Sequence, residues 1–344
     1  MTPSLPEPRR ILVVHVTRIG DTVMATPALR ALAEHWPGAE ITFLGHPKRA
    51  EVIEHLPYVR RVGTITKRRA PARGWLNGDR WDLGIVFGFD DALVRYALRV
   101  CARVVAFRQN DARINARLFR AVAHPAHNTM HGVDQLLLLP RALGVVPRSR
   151  ALEYQVAPAE ADAAARRLAA DGIGQGARPL VGFVIESFPT KTYRDWPPES
   201  FAELARRIVE RFPSAHFLLF GGALREAKLA PLRAALGGRL TTYAGKLTLR
   251  ETAALMSRVD LYVGVDTGPT HIAGALRLKM VALYHCLHPG SGLAPPEHPA
   301  LAVIEHPDAE SAACTERSSL SDITIERVWK GAQALLAREV ALSG

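Results

Sequence analysis

With 344 residues, 48% of them hydrophobic and 22% charged, the chain has enough apolar material for about two ordinary domains, which excludes wholesale disorder. No apolar run approaches the roughly 18 residues of a membrane span, and the opening MTPSLPEPRR lacks an apolar signal segment, so a soluble cytosolic protein is expected. The net charge of +11 is lopsided: residues 1–150 carry 23 Lys+Arg against 12 Asp+Glu, and residues 151–344 carry 21 of each, so the first half is expected to meet something anionic.

Nucleic acid, an acidic glycan and an anionic membrane surface are the candidates for that partner; a merely solvated basic face is the plain alternative. Cys101, Cys286 and Cys314 are too few and too scattered for a disulfide framework or a zinc knuckle, which points to a reducing compartment.

In chain order, ILVVHV (11–16) is an expected strand, followed by a helix ending near HWPG. EITFLG (40–45), a helix around RAEVIEHL, VGTIT (62–66), LGIVFG (83–88), a helix around ALVRYALRV and RVVAF (103–107) follow, then a helix over 130–144. TKRRAPARG (66–74) has proline, glycine and no apolar periodicity, and is expected to be a mobile basic loop. The pattern restarts with an amphipathic helix in APAEADAAARRLAADGIG. The strands LVGFVIES (180–187), HFLLFGG (216–222), LTTYAG (240–245), LYVGV (261–265) and MVALYH (280–285) follow with helices between them, and a last helix spans about 323–342. Nearly all-apolar strands alternating with helices predict parallel sheets covered on both faces. Two such α/β domains are expected, with a junction near 150–175. Ligands of such sheets bind beyond the C-terminal strand ends, so two domains sharing a cleft suit transfer from a nucleotide-linked donor to an acceptor.

Four stretches carry candidate chemistry. In VGVDTGPTHIAGAL a strand runs into Asp266-Thr267-Gly268-Pro269 and a helix, a start that favours an anion such as phosphate; an ordinary capped helix start is the alternative. His271 lies one turn inside. ESFPTKTYRDWPPESF places Lys191 and Arg194 after a strand, where cations hold phosphates or are simply solvated. FGGALREAKL offers Gly221 for close approach of a nucleotide and Glu226 for ribose hydroxyls, or is a plain turn. TRIGDT puts Asp21 in a loop after the first strand. Asp21 caps the following helix, or Thr26 caps it with Pro27 in the first position and leaves Asp21 free. The G-x-G-x-x-G and G-x-x-x-x-G-K-[ST] fingerprints are absent. HPAHNTMH and the histidines 285, 288 and 298 lack metal-ligand spacing, so no metal is expected.

Together, RIGDTVMATPALRAL, RDWPPESFAELARRI, YAGKLTLRETAALMSRVD and VGVDTGPTHIAGAL resemble the ADP-heptose:lipopolysaccharide heptosyltransferases of glycosyltransferase family 9 over nearly the whole chain. The resemblance implies an α/β glycosyltransferase-B architecture, two Rossmann-like parallel-sheet domains facing a central cleft. It divides the chain into an acceptor domain at 1–160, a nucleotide-sugar domain at 161–324 and a helix at 325–344 that crosses back to the first. It makes Asp21 the base in an inverting, metal-independent transfer of heptose from ADP-heptose. Arg194, Lys191, Thr267 and Gly268 would meet the diphosphate. Asp266 and His271 would hold the donor sugar, and Leu247, Glu226 and Gly221 the nucleoside. The acceptor would be the anionic lipopolysaccharide core, met by Arg18, Lys67, Arg68 and Arg69 at the cytoplasmic face of the inner membrane, with no cofactor and no nucleic acid. Two departures touch the donor side: Ala223 stands where an acid is expected, leaving Glu226 as substitute, and HCLHPGS (285–291) replaces a G-P-T-D-P segment. The alternatives are another nucleotide sugar or acceptor, a basic nucleic-acid-binding protein, and a non-catalytic sugar-nucleotide-binding protein. Against nucleic acid, there is no recognition-helix pattern and no aromatic-basic interleaving.

Overall fold

The computed structural model describes residues 7–73, 79–126, 129–188, 190–309, 311 and 313–337. The chain forms two compact units, Met1–Gln155 and Val156–Gly344. The first contains β1 (Arg10–His15), β2 (Glu40–Gly45), β3 (Arg61–Thr64), β4 (Trp81–Val86), β5 (Cys101–Phe107) and β6 (Arg120–Val122). These strands form one parallel sheet in the order β3-β2-β1-β4-β5-β6. The second unit holds β7 (Leu180–Val184), β8 (His216–Leu219), β9 (Leu240–Thr242), β10 (Leu261–Val265), β11 (Met280–Tyr284) and β12 (Leu301–Glu305). Its order, β12-β11-β10-β7-β8-β9, is also parallel and repeats the first when counted from its own first strand. The strand order therefore reverses at one place in each parallel sheet, between β1 and β4 and between β7 and β10.

The central strands are apolar throughout because both of their faces are buried. Val181 and Phe183 of β7, Leu261, Val263 and Val265 of β10 and Val281 and Leu283 of β11 join one core cluster. Leu180 and Val184, Tyr262, and Met280, Ala282 and Tyr284 join the other. This alternation follows from the two-residue period of a strand. Each large buried side chain contributes about 1.5–3 kcal/mol relative to exposure. The helix Pro198–Arg211 closes the first cluster with Phe201, Leu204 and Ile208, beside the fully buried Trp196, whose Nε1 donates to the Ile323 carbonyl at 2.9 Å. The final helix, Ile325–Ala337, places Val328, Ala332, Leu335 and Leu336 in that same cluster; residues 338–344 lie outside the described residues. Among the described residues, no helix is long and apolar enough to cross a membrane.

Several expectations change. RAEVIEHL yields only the 3-10 turn Ala50–Ile53, because His55 takes a positive φ of 69° and Pro57 follows. β6 and β12 were not anticipated: one has three residues, and the other is an edge strand with Val303 exposed. The part of the basic segment within 66–73 packs instead of trailing. Ala70 is buried, and the Arg99 guanidinium donates to the Ala70 carbonyl at 2.5 Å and the Arg73 carbonyl at 3.0 Å. Cys286 and Cys314, 28 residues apart, are joined in a disulfide with their Cα atoms 6.0 Å apart. Separation along the chain hid this pair, because β12 and the turn after it carry the second cysteine back to the end of β11.

Candidate functional site

The reversal point of the second sheet gathers the loops after β7 and β10. Arg194 sits in the 3-10 turn Thr192–Arg194, and Asp266 directly follows β10. The Arg194 guanidinium donates to the Asp266 main-chain carbonyl at 2.9 Å and also pairs with its carboxylate. Both side chains are buried, 7% and 6% exposed. The other carboxylate oxygen lies 3.5 Å from His271 Nε2. Burial alone pushes the Asp266 carboxyl upward, but the His271 hydrogen bond and the charges of Arg194, His271 and His288 outweigh it and hold the group below the usual carboxylate range. The resemblance has Asp266 holding sugar hydroxyls; the structure engages its carboxylate with Arg194 and His271.

The helix Gly268–Ala275 has Pro269 in its first turn and Thr267 as its N-cap residue, yet no side chain caps it. The ordinary capped start is therefore not what forms. Thr267 Oγ1, Arg194 Nε and His271 Nδ1 are buried and have no hydrogen-bond partner among the described residues. Buried polar atoms are normally satisfied; these three belong to the loop after β7 and to the N-cap and first turn of this helix. Lys191, half-buried, reaches the Tyr193 hydroxyl at 3.5 Å. Its loop is fastened by Lys228, whose Nζ lies 2.8 Å from both Glu186 and Asp195, and by Asp195, which accepts from the Ser187 N–H at 2.7 Å. Lys228 was not singled out from sequence, and His288 was weighed there only as a metal ligand. His288 lies close enough to Arg194, Asp266 and Lys191 to feel their charges, and burial first, then Arg194, brings it down to about 4.

Two glycines shape the neighbouring loops. Gly221 has φ +113° and Gly245 φ +74°, and the Gly245 N–H donates to the Gly221 carbonyl at 2.9 Å. A Cβ on Gly245 would stand 2.7 Å from Ala223 Cα, so the two backbones meet only through glycine. Leu247, two residues on, lines a cavity of about 550 Å³ with Ala163, Arg167, Arg250 and Leu255. Glu226 opens the helix Glu226–Leu236, is exposed and accepts from Arg233 at 2.6 Å, so a surface ion pair takes the carboxylate expected at the ribose.

In the first unit, neither Asp21 nor Thr26 is an N-cap; Arg18 and Ala25 hold those positions. Asp21 lies inside a short helix, Ile19–Met24, which ends at Ala25; a second helix, Thr26–His35, begins with Pro27 in its first turn. Proline lacks the N–H that would continue the first helix. Thr26 Oγ1 donates back to the Val23 carbonyl at 2.8 Å and accepts from the Glu153 N–H at 3.0 Å. Asp21 Oδ2 accepts from Thr17 Oγ1 at 2.8 Å. His15, buried at the end of β1, sets Nε2 3.2 Å from the Asp21 carbonyl and Nδ1 3.4 Å from the Phe87 carbonyl after β4. Burial lowers its affinity for a proton more than the Asp21 charge raises it. The first sheet's reversal point thus ties the Asp21 loop to the β4 loop. There Gly88, at φ +107°, turns the chain, and Phe89 emerges 52% exposed, stacked on Phe107 and edge-on to His124. Lys67 lies 2.8 Å from Asp90, whose other oxygen caps the helix Asp91–Val100; Arg18, Arg68 and Arg69 are exposed.

Among the described residues, His285, Cys286 and Cys314 are the group with metal-ligand atoms within 4.8 Å of one another, and the two sulfurs are bonded to each other. The profile of glycosyltransferase family 9 (heptosyltransferase) matches residues 92–321. Lipopolysaccharide heptosyltransferase 2 of Escherichia coli K12 is 26% identical, with 96% of this chain and 100% of that protein covered. The structure of a glycosyl transferase family 9 protein from Veillonella parvula superposes with a TM-score of 0.83 at 21% identity, covering 98% and 99%. E. coli ADP-heptose lps heptosyltransferase II does so with 0.75 at 21%, covering 96% and 99%. The twin parallel sheets are the glycosyltransferase-B fold, and the chain, a glycosyltransferase, belongs to glycosyltransferase family 9, the heptosyltransferases.

Proposed function

We propose that this enzyme transfers heptose from ADP-heptose to the lipopolysaccharide inner core, by direct displacement with inversion and without a metal. The observation that carries the donor half is the trio of unpartnered buried atoms, Arg194 Nε, Thr267 Oγ1 and His271 Nδ1, at the start of the helix Gly268–Ala275. Their chemistry matches a diphosphate and the sugar attached to it. Arg194, Lys191, Thr267 and the Gly268 end of the helix stabilise the negative charge that grows on ADP as the anomeric bond breaks. Asp21 takes the proton from the acceptor hydroxyl as its oxygen attacks the anomeric carbon. Gly221, Gly245 and Leu247 form the nucleoside side. The printed names of the relatives, ADP-heptose and lipopolysaccharide among them, support the choice of donor and acceptor.

The acceptor is anionic, and the exposed Arg18, Arg68 and Arg69 of the basic first half suit it, with Lys67 released from Asp90 by a stronger anion. The enzyme works peripherally at the cytoplasmic face of the inner membrane. A different nucleotide sugar is the second reading. It is favoured by Ala223 and by Glu226, whose carboxylate is paired with Arg233. Incubation with ADP-heptose and a heptose-deficient core acceptor tests the proposal. A mass gain of one heptose, an inverted anomeric centre by NMR and indifference to chelators are expected. No gain with ADP-heptose but turnover of another sugar nucleotide selects the second reading.

A further inference from the structure

We infer that Thr17 is a positioning residue that selects which oxygen of Asp21 acts as the base. This rests on the reading of Asp21 above and adds a residue that the family motif around Asp21 does not name.

Asp21 presents two chemically equivalent oxygens, and the structure treats them differently. Oδ2 accepts from Thr17 Oγ1 at 2.8 Å. Among the described residues no hydrogen bond or ion pair reaches Oδ1. Thr17 is itself held. Its carbonyl accepts from Arg49 Nη1 at 2.8 Å, and its side chain is β-branched, so the hydroxyl has few rotamers to wander through. The Asp21 main chain is also held, with His15 Nε2 3.2 Å from its carbonyl. Thr17 and His15 therefore hold the side chain and the backbone of one residue. An aspartate on a single short helix, Ile19–Met24, otherwise rotates freely about its side-chain bonds.

The consequence is chemical. A hydroxyl that donates to Oδ2 fills one of its two lone-pair sites and lowers the basicity of that oxygen, which favours Oδ1 for the acceptor proton. As the acceptor oxygen bonds to the anomeric carbon, the bond from that carbon to the phosphate oxygen breaks. Its electron pair leaves with ADP, and the acceptor proton ends on Oδ1. Holding the carboxylate in one rotamer places Oδ1 in that path before the acceptor arrives. Misplacement of a reacting group by about 1 Å can cost on the order of 100-fold in rate.

The test compares Thr17→Val, Thr17→Ser and Asp21→Asn in the full chain, with kcat, both KM values, ADP affinity and thermal midpoint measured for each. Thr17→Val is expected to lower kcat about 10- to 100-fold while KM for ADP-heptose, ADP affinity and the midpoint hold. Thr17→Ser, which keeps the hydroxyl, is expected to recover kcat to within a few-fold. A Thr17→Val enzyme with unchanged kcat beside an inactive Asp21→Asn enzyme overturns the role of Thr17 and leaves the base reading standing. Serine as impaired as valine, at equal midpoints, also overturns it. An active Asp21→Asn enzyme overturns the base reading itself, and the role of Thr17 with it. A lowered midpoint in Thr17→Val alone, with kcat per folded molecule unchanged, reduces Thr17 to a structural contact.

Discussion

Replacing Arg194 by methionine leaves the Asp266 carboxylate buried without its guanidinium. The pair is 7% and 6% exposed, so solvent does little to screen it. Stripping one member from a buried pair costs about 3–5 kcal/mol, mostly through the charge left behind. For a unit of this size each kcal/mol moves the midpoint by about 2–4 °C, giving a loss of roughly 6–20 °C near pH 7. The pH dependence has a definite sign. In the native protein the Asp266 carboxyl is held low, so the stability it contributes is full above its unfolded value near 4 and is lost as pH falls through the folded value. In the variant, burial acts with less opposition and pushes the group up, so the folded variant welcomes a proton and its deficit shrinks from pH 8 to pH 5. Scanning calorimetry of both proteins across that range measures it. Arg167→Met is the control: its partner Asp171 and Arg167 itself sit at the surface, 30% and 50% exposed, so little change in the midpoint is expected. An Arg194→Met protein as stable as the native one at pH 7, or a deficit that does not shrink on acidification, refutes the reasoning.

Thr267→Val removes a buried hydroxyl with no partner, so the empty protein is expected to hold or gain up to about 1 kcal/mol while ADP binds roughly 5- to 10-fold more weakly; calorimetry and titration read the two opposite signs. His288, brought down to about 4 in the empty protein, is expected to titrate at higher pH once ADP covers Arg194, as followed by NMR of its ring; an unmoved value contradicts a diphosphate at this site. Gly245→Ala faces both φ +74° and a contact at 2.7 Å, so it is expected to destabilise the second unit by more than 1 kcal/mol and weaken nucleoside binding, whereas Gly238→Ala, whose Cβ meets nothing within 4 Å, is expected to do far less.

The sheets were legible because strands buried on both faces write an unbroken apolar run: LYVGV is β10 residue for residue, and EITFLG is β2. The helix start at Gly268 and Pro269 was legible because proline suits a helix's first turn. The surroundings of Asp21 were not legible. Its neighbourhood depends on a helix break at Ala25, and that break depends on Pro27 three-dimensionally more than on any cap. Thr17 left no mark, since a hydroxyl four residues before an acid is commonplace until a turn brings them together. Phe89 is visible only once Gly88 has taken its positive φ. Glu226 misled because a carboxylate near a glycine pair looks like a ribose ligand; whether it pairs with Arg233, seven residues along its own helix, is a matter of packing.

The proposed function gives Asp21 the role of the base. The kcat of Asp21→Asn with ADP-heptose and core acceptor, measured beside ADP affinity, tests it most directly. A fall of about 100- to 10,000-fold in kcat with ADP affinity unchanged is expected. An Asp21→Asn enzyme that keeps its kcat, or that loses ADP binding in step with activity, contradicts it.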